Sequence, residues 1–423
     1  ITMQDGTSDA FRSFSLTLTG SLSQACTVTL APNTLSNVWV VQNSAGDTVT
    51  LTQGTGANVV IPNGGIKMIA TDGAGSGAAV TDVLDLTGGT GNVGLGSGSL
   101  GTSLTTGTDN VAIGENAGDA LSTGSDNTLV GDNAGGALTT GGNNIAIGSA
   151  ALDAEDTGTD SVAIGFNALT AQNNDSTNYN VAIGSSAGAA ITSGVQNILV
   201  GALAGDAITT GNSNVSVGHG SLSLNTASHR NTAIGEFALS ALNITTSTNA
   251  YNTVLGYSAG AGVTTGVNNN LIGGLSGDAL TVGSNNVSLG YFALGADTKG
   301  SKSVAIGNSA LEAQNFTTAT DTFNTAVGVA AGASITTGLS NTLIGGVAGD
   351  ALTDADHNTA IGNEALTADT LGSKSTAIGS LALATQNYTT ATDALNTAVG
   401  FQAGTSVTTG IANTFLGAQA GDA

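Results

Sequence analysis

Three histidines, twenty-nine acidic residues and one cysteine are the groups with which this 423-residue chain could hold a metal or move a proton. Metal ligation needs side chains that converge. His219, His229 and His357 fall at unrelated places, and only Asp354, Asp356 and His357 lie together, where they read as a solvated turn. Asp206, Asp278, Asp350 and Asp422 recur at 72-residue intervals in Ala/Ser-Gly-Asp-Ala. Four stacked β-coils would separate successive members by about 19 Å, too far to share an ion, so these acids read as turn caps. The Gly-x-x-Ala-Gly segments lack the Lys-Ser/Thr of a phosphate loop and the Gly-Gly-x-Gly-x-Asp of calcium-binding rolls. A glycosidase needs carboxylates about 5 to 9.5 Å apart, and the scattered acids offer no such pair. The reading is therefore of no catalytic, cofactor or metal site. Cys26, alone, forms no intrachain disulfide; between Ala25 and Thr27 it reads as a small buried hydrophobe.

The elements that would position any site are set by an unusual composition. There are 64 Gly, 2 Pro, 8% charged and 4% aromatic residues, yet 40% of the chain is hydrophobic, which argues against disorder. Small side chains cannot fill a thick core but can fill a long thin one. The net charge of −23, with only Arg12, Lys67, Arg230, Lys299, Lys302 and Lys374 as cations, offers no basic patch for nucleic acid. No apolar run approaches the ~20 residues of a membrane helix, so no membrane insertion is expected. The start at Ile1 and the stop within a repeat at Ala423 read as a piece of something longer.

Self-similarity decides the architecture. A pentad of Asn or Ser, three residues and Gly begins at Asn92, Asn110, Asn127, Asn144, Ser161, Asn180, Asn197, Asn214, Asn231 and Asn252, and continues to Asn413. The usual step is 17 residues, but 161 to 180 is 19, and 231 to 252, 303 to 324 and 375 to 396 are each 21, closing a 72-residue super-repeat of four coils. This predicts an all-β fold: a small β-domain over residues 1–90, then over 91–423 a parallel β-solenoid of about nineteen coils. At about 4.8 Å per coil the rod is roughly 90 Å long.

Each coil reads as two short strands, the three residues inside the pentad and a stretch such as Ala207–Gly211. In the second, Ile or Val alternates with Thr, as in a half-buried strand. In the first, all three positions are apolar or small, which predicts burial on both faces. The outer two positions are then expected in the coil's own core. The middle ones are expected at a three-chain axis: Ala112, Leu129, Ala146, Ala163, Ala182, Leu199, Ala233, Leu271, Ala305, Leu343, Ala360, Ala377, Ala398 and Phe415. The inferred unit is a homotrimer; a dimer would also cover the face. The residue after the pentad Gly is small at Ala202, Gly274, Gly346 and Ala418 and large one coil earlier at Tyr257, Val329 and Phe401, which reads as size complementarity in a dry seam. The extended coils carry Asn-(Ile/Phe/Tyr)-Thr-Thr loops, and Tyr179, Tyr251, Phe316 and Tyr388 are candidates for glycan contact there.

The Asn-x-Ala-Ile-Gly-x-x-Ala pattern resembles the head repeats of YadA-like trimeric adhesins over about Asn92 to Ala423, although those coils are shorter. That resemblance implies a left-handed β-roll in a three-chain rod. Thr19–Leu30, Val38–Gly46, Val59–Gly64 and Asp72-Gly73 resemble the small β-domain of bacteriophage tail fibres. Together they imply a virion appendage, extracellular, whose partners are two further copies, other tail proteins and, through a tip outside this chain, a host receptor. The alternatives are a bacterial surface adhesin and, further off, a tailspike depolymerase.

Overall fold

The computed structural model describes residues 15–83 and 91–422. Arg12 and the expected boundary near residue 90 therefore lie outside or at the edge of the described residues. Among those residues the fold is all-β, without an α-helix.

Residues 15–83 carry seven strands: β1 (Ser15–Thr19), β2 (Cys26–Thr29), β3 (Ser36–Ser44), β4 (Val49–Thr52), β5 (Val59–Ile61), β6 (Ile66–Asp72) and β7 (Val80–Asp82). They make two sheets, ordered β1-β3-β6-β7 and β2-β4-β5. β1 runs parallel to β3 and β2 parallel to β4, while β5, β6 and β7 join antiparallel. Alternate residues Trp39, Val41, Val49, Leu51, Ile61 and Ile69 point between the sheets and are buried, and Cys26 packs against them partly buried. The turn after β3 is tied down by Asn43, whose Nδ2 donates to the Asp47 and Ile61 carbonyls at 2.8 Å.

From Val93 onward the backbone is a solenoid. Nineteen three-residue strands, one per pentad, pair in parallel and in sequence order from Val93–Leu95 to Thr414–Leu416. Each end strand pairs with a single neighbour, so the ladder is open. The pentad explains itself once stacked. Asn127 donates its backbone N–H and its Nδ2 to Asn110 Oδ1 at 3.0 Å, and its Nδ2 also reaches the Gly141 carbonyl at 3.0 Å. The same links repeat at Asn197, Asn214, Asn286 and Asn341. A buried amide left unpaired costs about 1–3 kcal/mol, so a ladder that satisfies each amide from the coils beside it selects Asn.

The closing Gly is required twice over. Gly256 has φ +140°, and a Cβ there would stand 2.4 Å from the Gly273 carbonyl oxygen of the next coil. Its counterparts from Gly96 to Gly400 share that conformation and that crowding, whereas Gly417 in the last ladder coil meets nothing.

The second expected strand is absent and is replaced by a column of turns. Gly118 takes φ +59° and accepts a turn hydrogen bond from Leu121, which breaks the extended backbone. The Thr positions that follow still stack: Thr209 donates its N–H to Thr226 O at 2.9 Å and its hydroxyl to the same oxygen at 3.1 Å.

Candidate assembly face

The two faces of the ladder strand are the reverse of the sequence expectation. Ala112, Leu129, Ala146, Ala163, Ala182, Leu199, Ala233, Leu271, Ala305, Leu343, Ala360, Ala377 and Ala398 all point into their own chain's core and are fully buried there. Phe415 packs on the same core partly buried. None of them faces outward to an axis. The reason is room: the coil interior at this height must also hold the Ala of Gly-x-x-Ala and one aliphatic from the turn column, so only the single inward position fits.

Coil-to-coil variation follows from that interior. Where the residue after this Ala is Gly, as at Gly118 and Gly135, the turn column supplies Leu121 and Leu138. Every second such coil also has a large inward strand residue. Leu271 lies over Gly260 and Gly277, where an added Cβ would come within 2.8 and 2.9 Å of it. Where the residue is instead Leu, as at Leu294 and Leu311, it is buried with left-handed φ of 54° and 50°, and the inward strand residue is small. Size compensation is thus internal. Tyr257, Val329 and Phe401, expected in a dry seam, stand more than half exposed on the single chain.

In the coils with that buried Leu, the turn column turns polar, a feature the sequence reading did not single out. Gln314 Nε2 donates to Asp297 Oδ2 at 2.6 Å and to Ser303 Oγ at 2.8 Å, and its carbonyl accepts from Asn324 Nδ2 at 2.9 Å. Gly300 and Phe316 donate their N–H groups to Asp297 Oδ1 at 2.9 and 3.3 Å. Glu155, Ser161 and Gln172 form the same network, as do Asp369, Ser375 and Gln386. All three carboxylates are completely buried, and burial raises the Asp297 carboxyl above its ordinary value even against these hydrogen bonds. The remaining super-repeat has Asn225, Asn231 and Leu242 instead. Aligning coils on the pentad and comparing the eleventh residue after its first would have revealed this set: Ser at the pentad goes with an acid and a Gln there.

Outside, the outer ladder positions form one face. From Val111 to Leu416 they are Val, Ile, Leu or Thr in every strand, with Asn270 the exception, and none is charged. Ile113, Ile147, Ile183, Leu255, Leu289, Ile344 and Ile378 are exposed there. The second outer position is Val, Ile or Leu in every strand from Ile113 to Leu416, with Thr or Asn270 beside it in ten of them; an apolar column of this kind marks an interaction site.

Beside this face lie the enlarged loops. Short parallel pairs, Ser228–His229 with Thr248–Asn249 and Gly300–Ser301 with Thr320–Asp321, anchor them to the coil before. Of the glycan-contact candidates, Tyr179 and Tyr251 are exposed, but Phe316 and Tyr388 are not: they are 6% and 5% exposed. Phe316 fills the inside of its loop, and Tyr388 Oη donates to the Gly410 carbonyl at 2.6 Å. A longer loop encloses more volume, and an aromatic ring fills it.

The groups that opened the sequence reading are dispersed. His229 Nδ1 accepts from the Asn212 N–H at 2.8 Å and its Nε2 lies 2.7 Å from Ser247 Oγ; burial, with Arg230 beside it, lowers its pKa. His219 stands 3.8 Å from Glu236 and edge-on to Phe237. Asp206 and Asp278 are raised by burial. Among the described residues no group of three or more His, Cys, Asp or Glu is placed to hold a metal ion, and no helix is long and apolar enough to cross a membrane.

This architecture defines a parallel β-solenoid repeat protein with one continuous uncharged face. No protein-family model, curated protein or solved structure matches the chain significantly.

Proposed function

We propose that the chain is the shaft of a trimeric bacteriophage tail fibre, in which three copies pack their ladder faces together and hold a host-recognition tip away from the virion. The observation that carries the reading is the uncharged outer face of the ladder from Val111 to Leu416. In a chain of net charge −23, a face without one charge is what association of like copies requires, because acids placed there would repel across the interface. The role is mechanical: a one-dimensional stack of coils resists bending, and covering its apolar face stiffens it further. The residues that resemble a tail-fibre β-domain favour a virion over a cell envelope as the setting.

The test is the mass of the purified protein in solution, with electron microscopy of its source particle. Three times the chain mass and thin fibres on a phage tail support the reading. A monomer refutes the assembly, and fibres on a bacterial envelope transfer the chain to the surface adhesins.

A further inference from the structure

The ladder face poses a problem of register. Its outer residues are Val, Ile or Thr in nearly every coil, so a copy displaced along the rod by one coil, about 4.8 Å, would find almost the same surface. Uniform strands specify register weakly. The rims of the face are not uniform. Tyr251 and Tyr257 flank Thr253–Leu255 and are 50% and 57% exposed. Phe323 and Val329, 55% and 62% exposed, flank Thr325–Val327, and Leu395 and Phe401, 53% and 51% exposed, flank Thr397–Val399. These three apolar belts are 72 residues apart.

Each belt is one coil thick. The coil before it carries Arg230 with Glu236, Lys302 with Asn308 or Lys374 with Ser380 at the same rim positions, and the coil after it Asn268 with Gly274, Ser340 with Gly346 or Ala412 with Ala418. Two of the belt rings are also held from below within the chain. The Arg230 guanidinium carbon lies 5.6 Å from the Tyr251 ring centre and Lys302 Nζ 5.0 Å from that of Phe323. Such contacts fix a ring before a partner arrives and so reduce the entropy lost on docking.

Resting on the assembly reading above, we propose that these belts set the axial register between parallel copies of this chain, each belt packing against the same belt of its neighbour. The occupant is a second copy because only another solenoid with the same four-coil period matches every belt at once. A slip of one coil sets each belt against a cation and a polar side chain on one side and against small residues on the other. The next register with matching belts is four coils away, and there one belt on each copy loses its like: the Tyr251 belt of one copy meets Tyr179 with Ser185, and the Leu395 belt of the other is left uncovered.

The experiment uses the full chain with its single cysteine changed, Cys26→Ser, and a spin label on Ala319→Cys in an exposed loop. Inter-copy distances are read by pulsed electron resonance. The expected result is one narrow distance distribution. In a second protein, Tyr251→Ser, Tyr257→Ser, Phe323→Ser, Val329→Ser, Leu395→Ser and Phe401→Ser remove the belts but leave the ladder face. It should still assemble, with a distribution broadened into several components. A single narrow distribution in the belt-less protein, or several components in the parent, overturns the proposal. A monomeric parent instead refutes the assembly reading on which it rests.

Discussion

Gln314→Leu places in one coil the residue that Leu242 provides 72 positions earlier. By side-chain volume the change is mild, yet the structure makes it severe. It removes the 2.6 Å donor from Asp297 Oδ2 and the 2.8 Å donor from Ser303 Oγ, and it leaves a fully buried carboxylate held only through its other oxygen. Breaking a buried charged network by deleting one partner costs about 3–5 kcal/mol; the added apolar packing returns part of this, so a net loss of about 3 kcal/mol is expected. Ser303 Oγ also lies 2.6 Å from the buried Thr322 Oγ1, where the donor coil has Ala250, so transplanting the whole natural set takes five changes, Asp297→Asn, Gly300→Ser, Ser303→Asn, Gln314→Leu and Thr322→Ala, and should behave differently. In the donor coil Ser228 Oγ donates to Asn225 Oδ1 at 2.6 Å and accepts from Asn231 Nδ2 at 3.0 Å, so no buried polar atom needs Gln. The fivefold variant should lie within about 1 kcal/mol of the parent, a non-additivity expected of residues in one network. Solenoids need not unfold in one step, so the assay is hydrogen exchange at the Val304 amide, which bonds to the Asn324 carbonyl at 2.8 Å whatever side chains surround it. The single variant should exchange about a hundredfold faster and the fivefold variant near the parent rate. A single variant that exchanges like the parent, or a fivefold variant as labile as the single, would refute the reasoning.

In the glycine column, Gly256→Ala should cost roughly 2–6 kcal/mol, from its left-handed strain and its overlap with Gly273. Gly417→Ala, strained at φ +121° but unobstructed, should cost less; local exchange rates compare the two, and equal effects would contradict the stacking argument. In the loops, Phe316→Ala should destabilise by about 3–5 kcal/mol, whereas Tyr251→Ala should leave the single chain's melting temperature nearly unchanged; the reverse order would mean that the burial assigned to the two rings is wrong. The carboxyls of Asp206 and Asp278 are raised by burial, so between the raised folded value and the ordinary carboxylate value the native state binds more protons than the unfolded one. Their contribution to stability therefore increases as pH falls from neutrality through the folded pKa and levels off below the unfolded value. Asp206→Asn and Asp278→Asn should flatten that part of the melting-temperature profile, and an unchanged slope would refute the assignment.

The periodic features were legible in the sequence. Pentads at steps of 17, 19 and 21 residues identify a stacked coil because Asn and Gly each do a job that only repetition explains. Thus the parallel ladder and the four-coil period follow from spacing alone. Which way each residue points did not follow. A three-residue strand with Val, Ala and Ile is apolar throughout, so alternation carries no signal, and the inward choice of Ala112 and Ala146 depends on the volume left by Ala117 and Leu121 from the turn column. The turn column itself reads as a strand in sequence, since Ile and Thr alternate; Gly118 and its counterparts, bent by the close stack, make it a turn. Glu155, Asp297 and Asp369 look like solvated acids until the coils are closed, when Gln172, Gln314 and Gln386 arrive from one coil further along the chain to bury them. Local spacing determined the repeat; the enclosed volume of the closed coil decided which side chains fill it and left the outer Val, Ile and Thr of the ladder facing out.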